Sequence, residues 1–189
     1  MTVLVFLLAV FAAVHVIPAI PRAKAAAQRS LGKAYGAAYG IASLVLLVLC
    51  VWAFRQADPG FLYEPPAWGR HANFLLTLVA FLFIGIFLAR GSWRNRVRYP
   101  MAIAVTFWAV GHLLANGEAR SVTFIAGLAG AALLHAFLAS RLTERTPSDE
   151  RGGHDLLSVL FGLALYGLMA QLHGVLIGMP VINLAGFAP

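Results

Sequence analysis

Long stretches without a charge, separated by short basic clusters, set the pattern of this chain. The stretches run for about 17 to 25 residues, the length a helix needs to cross a hydrocarbon core of roughly 30 Å. Six membrane helices are expected: Thr2 to Ile20, Ala34 to Phe54, Asn73 to Ala89, Pro100 to Ala115, Ser121 to Leu142 and Leu156 to Met179. Segments such as Ile41 to Leu49 are apolar on every face, whereas a membrane barrel would show segments of about ten residues with alternating polarity. The expected fold class is all-α, a polytopic membrane helix bundle forming one domain over residues 1–189, with no soluble domain. The first stretch lacks the basic start and small-x-small cleavage site of a signal peptide, so it is expected to be retained as a helix.

The polar breaks carry their own pattern. Arg22, Lys24, Arg29 and Lys33 fall in the first loop, Arg90, Arg94, Arg96 and Arg98 in the third, and Arg141, Arg145 and Arg151 in the fifth. The even loops hold only Arg55, Arg70 and Arg120. By the positive-inside rule the odd loops face the cytoplasm and both termini face the other side. The second loop, Arg55 to Arg70, contains Asp58-Pro59-Gly60 and Glu64-Pro65-Pro66, which exclude a helix. Phe61, Tyr63 and Trp68 between these breakers suit an interfacial lid. Gly32-x3-Gly36-x3-Gly40 and Gly127-x2-Gly130 suit close helix packing.

Composition agrees with a membrane protein: 61% of residues are hydrophobic and 11% charged, against roughly a quarter charged in soluble domains. The net charge of +7 does not indicate nucleic acid as a partner, because the basic residues flank membrane helices, where they meet lipid headgroups. Cys50, the single cysteine, has no partner for an intrachain disulfide or a thiolate cage.

Histidines dominate the candidate chemistry, since ionisable groups at membrane depth are costly and mark function by default. His154 lies in a polar loop and His71 beside Arg70, where solvated or anchoring roles suffice. His15, His112, His135 and His173 each lie inside an apolar run. A neutral imidazole there can ligate haem iron or another metal, shuttle protons, or simply bond a neighbouring helix. Counted from the cytoplasmic ends at about 1.5 Å per residue, His15 and His135 are level at roughly 8–10 Å, His112 is at roughly 18 Å and His173 is deeper. Glu-x-x-His, His-Glu-x-x-His and Gly-x-Ser-x-Gly are absent from the sequence, which argues against carboxylate-bridged di-iron, zinc-protease and hydrolase sites. Asn116, Glu118 and Arg120 form a polar knot at the Asn116-Gly117 break, read either as a tight turn or as a group around a bound headgroup.

His15, the basic loop running into Pro100-Met101, Trp108-x3-His112-Leu113-Leu114-Ala115-Asn116-Gly117 and Leu172-His173-Gly174-x2-Ile177-Gly178 together resemble the NnrU family, which is similar to 15-cis-zeta-carotene isomerases. The resemblance spans nearly the whole chain. It implies a bacterial inner-membrane protein associated with denitrification and nitric-oxide metabolism, and, from the isomerase branch, haem b held between histidines. Carried over by residue, it points to His15 and His112 as axial metal ligands, His135 as a nearby third imidazole, and Tyr99 and Asn116 as supporting cofactor-binding residues. Arg98-Tyr99-Pro100 departs from the Arg-His-Pro of the family, so a histidine of the isomerase constellation is absent here. Three functions stay open: a sensor or support component for haem, nitric oxide or electrons; a haem-dependent cis-trans isomerase of a polyene or similar lipid-like substrate; and a helical scaffold whose histidines only bond neighbours.

Overall fold

The computed structural model describes residues 1–144, 147 and 149–181. Among the described residues, 81% are helical and none forms a strand. In chain order the helices are α1 (Thr2–Val16), α2 (Pro21–Leu31), α3 (Tyr35–Gln56), α4 (Gly69–Ala89), α5 (Ser92–Arg96), α6 (Pro100–Ala115), α7 (Ala119–Leu142) and α8 (His154–Ile177). Five spans are long and apolar enough to cross a membrane. The sixth, α6, has 16 residues and a length of about 24 Å, and it is sheltered between α4 and α7.

Local sequence sets the helix limits. Pro18 cannot donate a backbone hydrogen bond, and α1 gives way there to a 3-10 turn, Ile17–Ala19, earlier than the expected end at Ile20. The basic segment that follows, expected as a loop, is the helix α2, with no buried residue. Its alanine face and its Arg22, Lys24 and Arg29 suit a helix lying in the headgroup plane. Pro100 occupies the first turn of α6, where its missing N–H costs nothing. Arg90 ends α4 in the left-handed region (φ 58°), a position usually taken by glycine.

The spans form two triples. In one, α4 packs against both α6 and α8; in the other, α1 packs against both α7 and α3; the α6–α7 contact joins them. In the first triple, glycines let backbones meet. A Cβ on Gly85 would strike the Ser158 carbonyl of α8, one on Gly162 the Phe81 carbonyl of α4, and one on Gly69 the Leu114 carbonyl of α6. The second triple closes around side chains: Leu4, Leu8, Phe11, Cys50, Ala53, Phe54, Phe124 and Ala131 form its buried core. The close packing expected of Gly36, Gly40 and Gly130 is not found, since each faces open space. The buried positions of α3 lie in its last two turns, at Cys50, Ala53 and Phe54, whereas Gly36 and Gly40 in its first half face open space.

The two ends of the bundle differ. One, the basic end, carries α2, α5, Arg98, Arg141 and Arg151. The other is capped by residues 57–68, whose backbone is pinned by Leu62 N–H (2.9 Å) and Tyr63 N–H (3.3 Å) donating to the Gly117 carbonyl. Gly117 admits this crossing because any side chain there would meet the Tyr63 carbonyl. Arg120 completes the cap: it pairs with Glu118 at 2.9 Å and lies over the Phe54 ring. Arg55 donates from α3 to the Val175 carbonyl at 3.1 Å, satisfying one of the unpaired acceptors at the end of α8.

Candidate functional site

The four intramembrane histidines form two separate pairs. Near the capped end, the rings of His112 on α6 and His173 on α8 have centroids 6.4 Å apart with planes inclined by 30°. Both lie close to that end, His112 three residues before the end of α6 and His173 four before the end of α8, which is about 5–6 Å in each case. His112 Nδ1 is 2.9 Å from the Trp108 carbonyl one turn back, and His173 Nδ1 contacts the Met179 carbonyl. A carbonyl can only accept, so each Nδ1 carries a proton, and it is Nε2 that keeps the lone pair when the ring is neutral. That is the tautomer a metal requires, with the second nitrogen anchored as ligating imidazoles usually are.

The surroundings hold His112 in place. Its ring lies 4.8 Å from that of Trp108, which packs on the core of the other triple. Asn116 donates from its side-chain amide to the His112 carbonyl at 2.8 Å. Tyr63 donates to the Asn116 carbonyl at 2.9 Å and also contacts the Leu113 carbonyl. These are acceptors left over at the end of α6, so the capping loop fastens the turn that carries His112. From α4, Asn73 accepts a 2.9 Å bond from Thr77 and lies against Gly111.

The second pair sits toward the basic end. His135 Nδ1 donates to the His15 carbonyl at 2.6 Å. The His15 ring stacks on Phe11, centroid to centroid 4.1 Å, and lies 5.9 Å from Tyr39. His15 Nδ1, Tyr35 Oη and Ser43 Oγ are buried there without a hydrogen-bond partner.

The expected axial pair is therefore split. The structure does not bring His15 to His112: His15 is one residue from the basic end of α1, whereas His112 is twelve residues from the start of α6, roughly 18 Å in from that end. Moreover, α7 stands between these helices. His135 joins His15, not His112. Asn116 does support His112, through its carbonyl rather than its ring. Tyr99, thirteen residues before His112, immediately precedes α6 at the basic end and lines an apolar groove instead. Sequence reasoning missed His173 as a partner because it measured depth from the basic end, where α6 is shorter than α8. Counting back from the Asn116 and Gly178 helix stops would have set the two level. His154, expected to be solvated, donates to the Ala89 carbonyl at 2.7 Å and ties α8 to the end of α4.

Among the described residues, no group of three or more His, Cys, Asp or Glu could hold a metal ion. A bare zinc or copper ion wants three or four protein ligands; a macrocycle that brings its own equatorial nitrogens asks the protein for an axial pair. The donor set at His112 and His173, two imidazoles each with Nδ1 engaged by a carbonyl, fits that demand.

The profile of the NnrU protein family matches residues 3–181. The chain belongs to the NnrU family. No curated protein and no solved structure matches it. As a member of the NnrU family it is a helical membrane protein, and the matched span takes in all eight helices and both imidazole pairs.

Proposed function

We propose that this NnrU family member binds haem b through His112 and His173 and serves nitric-oxide metabolism in the bacterial inner membrane as a sensor or support component. The observation that carries the reading is the 6.4 Å separation of two imidazoles whose Nδ1 atoms are both engaged by backbone carbonyls. Bound there, haem would supply a redox-active iron able to take up a diatomic ligand, with His112 and His173 as the residues that would hold it. The protein's own share is to fix the tautomers through Trp108 and Met179, to hold the turn through Asn116 and Tyr63, and to cover the site with residues 57–68.

The test is the absorption spectrum of protein purified from haem-replete cells. A Soret band present in the parent, lost in His112→Ala and His173→Ala and kept in His15→Ala, supports this ligand pair. A Soret band that survives His173→Ala but not His15→Ala returns the ligation to His15 and His112. A colourless, folded parent removes haem and leaves a helical scaffold. Conversion of a 9,15-dicis polyene by the haem-loaded protein would overturn the sensor reading in favour of an isomerase.

A further inference from the structure

On the flank of α6 turned away from His112, α6 and α7 part around a cavity of about 400 Å³, within the roughly 300–1,000 Å³ of small-molecule sites. Its long wall is one stripe of α6 at helical spacing, Tyr99, Ile103, Thr106 and Val110, faced by Leu133 and Ala136 of α7. From Tyr99 to Val110 the groove runs about 16 Å along the helix axis. The Thr106 hydroxyl is spent on the Ala102 carbonyl at 2.8 Å, so the trough offers no free polar group until Tyr99 is reached. This suits a hydrocarbon chain lying parallel to the helices.

The foot of the groove has the opposite character. The Arg98 guanidinium lies 5.2 Å from the Tyr99 ring centre and donates one bond, 3.3 Å, to the Thr143 carbonyl. An arginine has five N–H donors, so most remain available. Arg141, near the end of α7, lies 5.6 Å from the Phe137 ring centre. From residue 65 to residue 143 the one acidic side chain is Glu118, at the far end of the bundle; exposed Glu144 begins the loop beyond. An apolar trough whose Tyr99 end adjoins the Arg98 guanidinium, with Arg141 two residues before the Thr143 that Arg98 bonds, is complementary to an anion carried on a hydrocarbon chain.

We propose that this groove is a binding site for an anionic phospholipid, one acyl chain lying between Tyr99 and Val110 and the phosphate held by Arg98 and Arg141. The site is independent of the imidazole pair. Between α6 and α7 a chain is held on three sides, with Leu76 of α4 forming part of the lining, whereas lipid on a flat helix face has one side held.

The full chain is reconstituted in nanodiscs of equal phosphatidylglycerol and phosphatidylcholine, extracted in mild detergent, and the retained phospholipid is counted by class. One phosphatidylglycerol retained per chain, over phosphatidylcholine, is expected. Thr106→Trp, which fills the trough, is expected to lower retention about tenfold, a change of about 1.4 kcal/mol. The double variant Arg98→Gln/Arg141→Gln, which leaves the trough intact, should abolish the preference for the anionic class. Equal retention of both lipids by the parent, or full retention in folded Thr106→Trp, overturns the proposal. Should Thr106→Trp fail to fold, an unchanged preference in the double arginine variant overturns it equally. His173→Ala must retain the lipid as the parent does, so that loss of haem and loss of lipid are told apart.

Discussion

The two helix triples are stabilised in different ways. In α4, α6 and α8 the contacts are backbone against backbone, made possible by Gly69, Gly85 and Gly162. In α1, α3 and α7 they are side chain against side chain, around Leu4, Leu8, Phe11 and Phe54. Lipid tails are as apolar as leucine, so neither triple is driven together by water; close van der Waals fit has to do it. Backbone contact gives rigid, short inter-helix distances, and this is the half that holds two imidazoles at a fixed 6.4 Å. Side-chain contact tolerates a looser fit, and in this half Gly36 and Gly40 face open space and His15 Nδ1 is buried without a hydrogen-bond partner.

The contrast can be broken most sharply at Gly85. Gly85→Leu drives a side chain into the Ser158 carbonyl and is expected to cost about 3 kcal/mol or more. In detergent the thermal midpoint should collapse, and in haem-loaded protein the Soret band with it. The matching change in the other triple is Leu8→Ala, which empties a position buried at the centre of its core. A loss of about 2 kcal/mol is expected. The α4–α8 contacts should survive, so the midpoint falls while any Soret absorbance of the parent is kept by the folded fraction; a parallel loss of that absorbance would mean the triples are not separable. Tyr63→Phe leaves the Asn116 carbonyl without its donor and is expected to cost about 1 kcal/mol. Hydrogen exchange of the Leu62 and Tyr63 amides should quicken, and no change there would deny the loop its fastening role. At the small end, Gly40→Ala meets nothing within 4 Å. Its effect should stay within about 0.5 kcal/mol, and a large shift would show that α3 is packed against something the monomer lacks.

The spans were legible because hydrocarbon length is written directly into apolar run length. The stop at Asn116-Gly117 and the start at Pro100 were equally plain, since each depends on a residue's own backbone chemistry. What stayed hidden was which helices are neighbours. His15 and His112 stand out equally in the sequence, yet their meeting depends on whether α7 stands between α1 and α6, and it does. Glycine spacing was an uneven guide: Gly127 does pack closely, against Leu8, and Gly85 and Gly162, outside any Gly-x3-Gly pair, meet a backbone, whereas the regular Gly32-x3-Gly36-x3-Gly40 stripe meets nothing at Gly36 and Gly40. A spacing describes one helix face, and contact requires a second helix. Tyr99 was singled out for occupying a family position; its surroundings, a trough ending in arginines, come from the divergence of α6 and α7.

One practical consequence attaches to Cys50, whose side chain is 0% exposed within the α1–α3 interface. A thiol so enclosed will not meet a maleimide or a spin label while the protein is folded. A cysteine introduced at Phe61, 78% exposed at the tip of the cap, would then be the sole reactive sulfur, and the opening or closing of that cap could be watched with a single probe without altering the native residue.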